Sequence, residues 1–185
     1  MNIQGIPKER AGKALRRVWT YKNAGGAEIG YVVRYDDGNG QKDVVPFFMR
    51  KNGQWNAGGA NEPRPLFGLD VLAARGPGEA VFVVEGEKCA AALHGLAAAA
   101  VTSAGGARAA GKADWTPLAR FGRVYILPDA DEAGEAYARD VTAALAGLPG
   151  QREVFVVRLP NLPEGGDVAD WLKALLPDWD GFGPV

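Results

Sequence analysis

The sequence predicts an α/β protein: a mainly parallel four-stranded sheet with helices between its strands, preceded by a small antiparallel β meander. Three observations predict it. Four short runs, Ala80–Val84 (AVFVV), Ala99–Thr102 (AAVT), Val124–Leu127 (VYIL) and Val154–Val157 (VFVV), are almost continuously apolar, as strands buried on both faces are. The stretches between them read as helices, and strands alternating with helices build a parallel sheet. The chain ahead of them is different in texture, with β-branched and aromatic residues in short runs between turn clusters.

In chain order, Arg17–Tyr21, Glu28–Tyr35 and Asp43–Met49 read as the strands of the meander. Asn23–Gly26 and Asp36–Gly40 turn the chain between them, since Gly and Asn tolerate positive φ. Pro46 has no N–H to donate, so the third strand is expected at an edge or interrupted there. A Gly/Pro-rich connector, Asn56–Pro65, leads to a short helix over Gly68–Arg75, closed by Gly76-Pro77-Gly78. Helices are expected over Glu87–Leu96, Trp115–Arg120, Glu132–Leu145 and Val168–Leu176. The whole back half is thus a Rossmann-like core. The expected organisation is a basic meander at 1–60, a connector at 61–79, the α/β core at 80–178 and a loose tail at 179–185.

The chain has 185 residues, enough to bury a real core, and 47% of them are hydrophobic. No apolar run reaches the length of a membrane span, and residues 1–17 carry no apolar signal region. One cysteine, Cys89, excludes an intrachain disulfide. Together with the single histidine, His94, it is too little for a Cys/His zinc site. A reducing, cytoplasmic setting fits. Cys89 is expected as a buried small hydrophobe and His94 as a packing or surface residue. The net charge of −1 conceals an asymmetry: residues 1–64 carry +5 and residues 65–185 carry −6. A basic front half suits a polyanion such as nucleic acid, and an acidic back half suits cations, unless both are ordinary surface scatter.

Open parallel sheets do their chemistry where loops leave the carboxyl ends of the strands. The first strand exits through Glu85-Gly86, the second through Ser103-Ala104-Gly105-Gly106, the third through Pro128-Asp129-Ala130-Asp131, and the fourth through a loop to Asp167. If the chain stays extended past Leu127, Asp129 and Asp131 point the same way. At about 6 Å and an effective dielectric of about 20 they repel by roughly 3 kcal/mol. A fold keeps such a cluster if a cation neutralises it, and hard oxygen ligands select Mg²⁺ or Mn²⁺. The alternative is that the aspartates cap the helix that begins near Glu132, although a cap does not account for Glu85 on the same rim. No P-loop pattern occurs, and the Asp129-to-Gly134 segment follows a strand, where an EF-hand loop follows a helix.

A strand ending in Glu-Gly (Val83-Val84-Glu85-Gly86-Glu87-Lys88), a Gly-Gly loop (Ser103–Gly106) and a strand ending in Asp-x-Asp with a later Gly (Leu127–Gly134) together resemble the Toprim, or topoisomerase–primase, domain. The front half, with Gly30–Asp36 and Glu62–Asp70, resembles the segment ahead of Toprim in phage and plasmid primases and primase–helicases. The resemblance implies metal-dependent phosphodiester chemistry: Glu85 as general base or acid, Lys88 as a catalytic residue placed to meet phosphate, and Mg²⁺ or Mn²⁺ held by Glu85, Asp129, Asp131 and Asp167, with Asp170 a weaker candidate. Gly86, Gly105 and Gly106 would form the loops around the site. Arg34, Lys42, Arg64 and Arg108 would meet nucleic acid, with Trp55 or Tyr35 available to stack bases. The implied activity is primer synthesis from nucleoside triphosphates on single-stranded DNA, with a replicative helicase on the same or another chain, in a bacterial host or from a phage or plasmid. Toprim nuclease activity and a non-catalytic nucleic-acid-binding role are the alternatives. The chain departs from the pattern at Cys89, where many bacterial primases carry Asp.

Overall fold

The computed structural model describes residues 5–49 and 55–179. Two five-stranded sheets share one layered core. The first is an antiparallel meander in the order β1-β2-β3-β4-β5, with β1 Glu9–Arg10, β2 Lys13–Lys22, β3 Glu28–Asp36, β4 Lys42–Met49 and β5 Trp55–Ala57. Pro46 neither ends nor interrupts β4. It pairs opposite Val32, and its carbonyl accepts from Gly58 N at 2.8 Å, while β5 flanks β4 only from Phe47 onward. The missing N–H therefore falls just outside the stretch that β5 covers. Gly30 is explained by packing: a Cβ there would lie 2.9 Å from Cγ of Phe48, whose ring crosses Gly30 and meets Tyr21 edge-on.

The second sheet has the order β10-β9-β7-β8-β6. The strands β7 (Ala80–Val84), β8 (Ala99–Ser103), β9 (Arg123–Leu127) and β10 (Glu153–Val156) are mutually parallel. A two-residue strand, β6 (Leu66–Phe67), adds antiparallel to β8, so the sheet is mixed and five-stranded where four strands were expected. Helices α1 (Leu69–Ala73), α2 (Glu87–Gly95), α3 (Glu132–Ala146) and α4 (Val168–Leu175) fall where the apolar periodicity put them. The segment expected as a helix near Trp115 is a 3₁₀ turn, Thr116–Arg120, and a second one spans Ala107–Lys112. Trp179, assigned to the tail, packs against the core; the remainder of the tail lies outside the described residues.

Two layers flank this sheet. On one face Val84 joins Cys89, Ala90 and Leu93 of α2 and Val168 and Leu172 of α4. Trp19, Tyr21, Val32 and Phe48 of the meander close that same layer. On the other face Val81, Val83 and Ile126 pack under Tyr137, Val141 and Leu145 of α3. The chain leaves β7 for one face and β9 for the other, and β7 and β9 are neighbours. A crevice therefore opens between their carboxyl ends, at the topological switch point.

Candidate active site

Glu85 and Asp129 leave β7 and β9 at this crevice and line one cleft of about 200 Å³. Its other walls come from Trp19, Arg34, Lys42 and Val44 of the meander, Lys88 and Cys89 of α2, and Asp167. Glu85 Oε2 is buried and has no hydrogen-bond partner among the described residues. Burial pushes the Glu85 carboxyl up, as do the charges of Asp131 and Asp167, while the backbone amide of Asp129 pulls it back. Asp129 is pushed up to about 8, first by burial and then by Glu85, Asp167 and Asp131, with Lys88 opposing. These acids share one field. The strain is that of negative charge collected faster than the protein neutralises it.

Each of the two flanking aspartates also caps a helix. The chain does not run extended past Leu127, because Asp131 N donates back to Asp129 O at 2.9 Å, turning the backbone at Ala130. Asp131 consequently faces a neighbouring groove with Glu135, Arg158 and Glu164, and its Oδ1 accepts from Gly134 N at 2.7 Å as the cap of α3. Asp167 caps α4: its Oδ1 accepts from Asp170 N, and Asp170 Oδ2 in turn accepts from Asp167 N. Asp167 Oδ2 meets Lys88 Nζ at 2.5 Å, and Lys88 lies 3.6 Å from Asp170. Burial lowers the Lys88 ammonium, but Asp167 outweighs it and the net shift is upward. Among the described residues no three His, Cys, Asp or Glu side chains stand together in ligating geometry. On the cleft wall Glu85 and Asp129 keep carboxylate oxygens open, and beside them Asp131, whose charge acts on both, keeps its Oδ2 open among the described residues. Two carboxylates with water and substrate phosphate make up the donor set Mg²⁺ uses, so the residues present fit such an ion.

Gly134 holds this arrangement. A Cβ there would come within 2.8 Å of Asp129 N and closer still to its carbonyl oxygen, so the first turn of α3 packs directly on the Asp129 backbone. Gly105 and Gly106 have φ of 108° and 72°, which only glycine adopts without strain. Gly86 is different: its backbone is extended and a Cβ would meet nothing within 4 Å, so it leaves open space at the mouth of the site.

The expected nucleic-acid residues separate into two groups. Arg34 and Lys42 lie on the meander wall of the cleft, Arg34 also pairing with Asp36 at 2.9 Å. Arg64 instead donates to Ala104 O at 3.1 Å and packs over Gly105, tying the connector to the glycine loop. Arg108 is exposed beside Glu132 and Asp140, on the α3 side away from the cleft. Of the two expected base-stacking aromatics, Tyr35 is not available and Trp55 is half-buried. Tyr35 is fully buried with its hydroxyl on Pro7 O, and Trp55 stacks on Tyr31 at 5.3 Å, because that face of the meander has a core of its own. Cys89 is buried, and burial pushes its thiol well up. His94 stacks on Phe67 with Nε2 2.8 Å from Ala100 O.

Three side chains at or beneath the site were not legible beforehand. Trp19 lines the cleft with its Nε1 buried and unpartnered among the described residues. Tyr137, fully buried under the sheet, donates to Val84 O at 3.1 Å, fixing the residue before Glu85. Tyr21 donates to Glu87 Oε1 at 2.7 Å, joining the meander to the first turn of α2. Glu87 stands within the Glu-Gly motif, and that adjacency was the one signal available for it.

The sequence matches no protein-family model and no curated protein. The fold does have solved counterparts, and all three described here are primases. The primase fragment of the bacteriophage T7 primase-helicase superposes with a TM-score of 0.58 at 20% identity, over 92% of this chain and 64% of that one. In a complex of bacteriophage T7 lagging-strand DNA polymerase with primase domains bound to an RNA/DNA hybrid and dTTP, the match has a TM-score of 0.56 at 20% identity, covering 95% of this chain and 82% of that one. A DNA primase domain from Pseudomonas aeruginosa matches with a TM-score of 0.60 at 18% identity, over 89% of this chain and 47% of that one. The chain therefore shares the mixed α/β fold of primase domains, spanning under two thirds of the T7 fragment and about half of the bacterial domain.

Proposed function

We propose that this chain is a Toprim-type primase domain, which joins nucleoside triphosphates into short primers on single-stranded DNA with Mg²⁺ or Mn²⁺. One observation carries the reading: two half-buried carboxyl groups, Glu85 and Asp129, face a wall of basic and hydrogen-bond-donating side chains across a cleft at the switch point. A general polyanion site would have no use for the acids, and a simple cation site would have no use for Arg34 and Lys42. Opposed charge of this kind suits a phosphate held beside a divalent ion.

The ion, when bound at Glu85 and Asp129, would neutralise charge on the transferring phosphoryl group. The protein side is then clear. Glu85 accepts the proton of the primer 3′-hydroxyl as that oxygen bonds to the α-phosphorus and pyrophosphate leaves. Arg34 and Lys42 hold phosphate on the meander side, and Trp19 Nε1 donates to it. Single-stranded DNA and nucleoside triphosphates are the partners of this reading. A replicative helicase joins them, because the T7 counterpart is part of a primase-helicase protein.

The test is primer synthesis by the purified chain with single-stranded template, nucleoside triphosphates and Mn²⁺. Short products are expected, and Glu85→Gln should lower the rate by at least ~100-fold while leaving template affinity unchanged. Absence of product even with the helicase supplied overturns the reading. Template cleavage under the same conditions would establish the nuclease alternative. Binding without either product would establish the non-catalytic one.

A further inference from the structure

Lys88 stands where an acidic cluster would otherwise need a cation. Its ammonium is 2.5 Å from Asp167 Oδ2 and 3.6 Å from Asp170 Oδ1, and it lines the same cleft as Glu85 and Asp129. Both carboxylate oxygens of Asp167 are engaged within the chain, Oδ2 with Lys88 and Oδ1 with the Asp170 amide. The next residue, Cys89, is a buried thiol in place of a further oxygen ligand. The half of the cleft around Asp167 is thus neutralised from within the chain. The half around Glu85, whose Oε2 is buried and unpartnered among the described residues, is not.

We propose that Lys88 takes the place of a second divalent ion: it closes Asp167 and Asp170 to metal, so that the cleft binds one ion, at Glu85 and Asp129. This rests on the metal-dependent reading above. An ammonium held between two carboxylates does the charge work of a cation without coordination demands. A divalent ion at Asp167 must displace it, leaving a desolvated lysine beside the incoming charge. The lysine that the motif places to meet phosphate is therefore a permanent counter-ion of the protein. Asp167 is a cap and an ion-pair partner, and it is not a metal ligand.

Mn²⁺ stoichiometry tests this without any turnover. Manganese alone is titrated against the full chain and followed by the loss of the free-ion electron paramagnetic resonance signal. One ion per chain is expected for the unaltered protein, two for Lys88→Met and one for Lys88→Arg, which keeps the charge. Asp167→Asn in the Lys88→Met background should return two to one, because asparagine preserves the helix cap. Circular dichroism of each variant establishes that it folds, and Lys88→Gln replaces Lys88→Met if that one does not. Two ions on the unaltered chain, or one on both the unaltered chain and Lys88→Met, overturns the proposal while the metal reading survives. No ion on the unaltered chain but one on Lys88→Met keeps the role of the lysine and removes the metal from Glu85 and Asp129. No ion on either overturns both.

Discussion

Asp129 is the residue on which the chemistry and the stability of this protein pull in opposite directions. Its folded affinity for a proton, near 8, lies far above that of an unfolded aspartate, about 3.9. Between those values the folded chain holds a proton that the unfolded chain releases. Stability must then fall as pH rises from about 4 through 8, and level off above. Asp129→Asn cannot ionise. It should match the unaltered, metal-free protein near pH 4 and exceed it by about 2 kcal/mol near pH 9, after discounting for solvent screening. Urea denaturation at those two values checks it; equal stability of the two proteins at pH 9 would mean the carboxyl is not under the strain described. Glu85 and Asp129 were legible because strand ends are where such acids gather. Capping by Asp131 was legible as an alternative and capping by Asp167 was not, because a cap and a ligand are the same residue at the same place in a sequence. Tyr35 went wrong for a related reason: alternation tells which residues share a face of the meander, and does not tell that this face has a core of its own.

The secondary-structure elements show the same division by length. β7, β9, α2, α3 and α4 were visible because each carries a full period or more of buried apolar residues. β1 and β6, at two residues each, are too short to carry one, and the 3₁₀ segment Ala107–Lys112 buries only Ala109 and Ala110, too weak an apolar signal to mark it. Gly134 in α3 is the case where element and site meet. By helix propensity alone, Gly134→Ala should stabilise the chain by up to ~1 kcal/mol. Its new Cβ, however, would press on the backbone of Asp129, at 2.8 Å from the amide nitrogen, and backbone cannot swing aside. Overpacking of this kind costs about 1–3 kcal/mol, so the net sign should be destabilising. A lowered melting temperature for Gly134→Ala, together with weaker Mn²⁺ binding, is the expected result. An unchanged melting temperature would show that α3 shifts freely relative to Asp129.

Over the whole molecule, the site exists because two sheets meet. The meander buries Trp19, Tyr21, Val32 and Phe48 on the α2 layer, and beyond Val32 on the same face of β3 comes Arg34. Lys42 and Val44 share the corresponding face of β4, so one stripe runs from shared core to basic cleft wall. Composition announced a basic front half and an acidic back half; which faces meet depends on contacts such as Tyr21 to Glu87, 66 residues apart, that no local pattern encodes. The arrangement has a measurable consequence for binding. Lys42 is exposed on the cleft wall, makes no ion pair among the described residues, and lies away from the reacting carboxylates. If it neutralises a template phosphate, Lys42→Ala should weaken single-stranded DNA binding about equally for all sequences. It should also reduce the steepness of log affinity against log salt by about 0.7, the single-strand value for one phosphate contact. Arg108→Ala, on the far side of α3, should change neither quantity. Fluorescence anisotropy across a salt series separates the two variants. A Lys42→Ala slope equal to that of the unaltered chain would move the template off the meander and leave the cleft to the nucleotide alone.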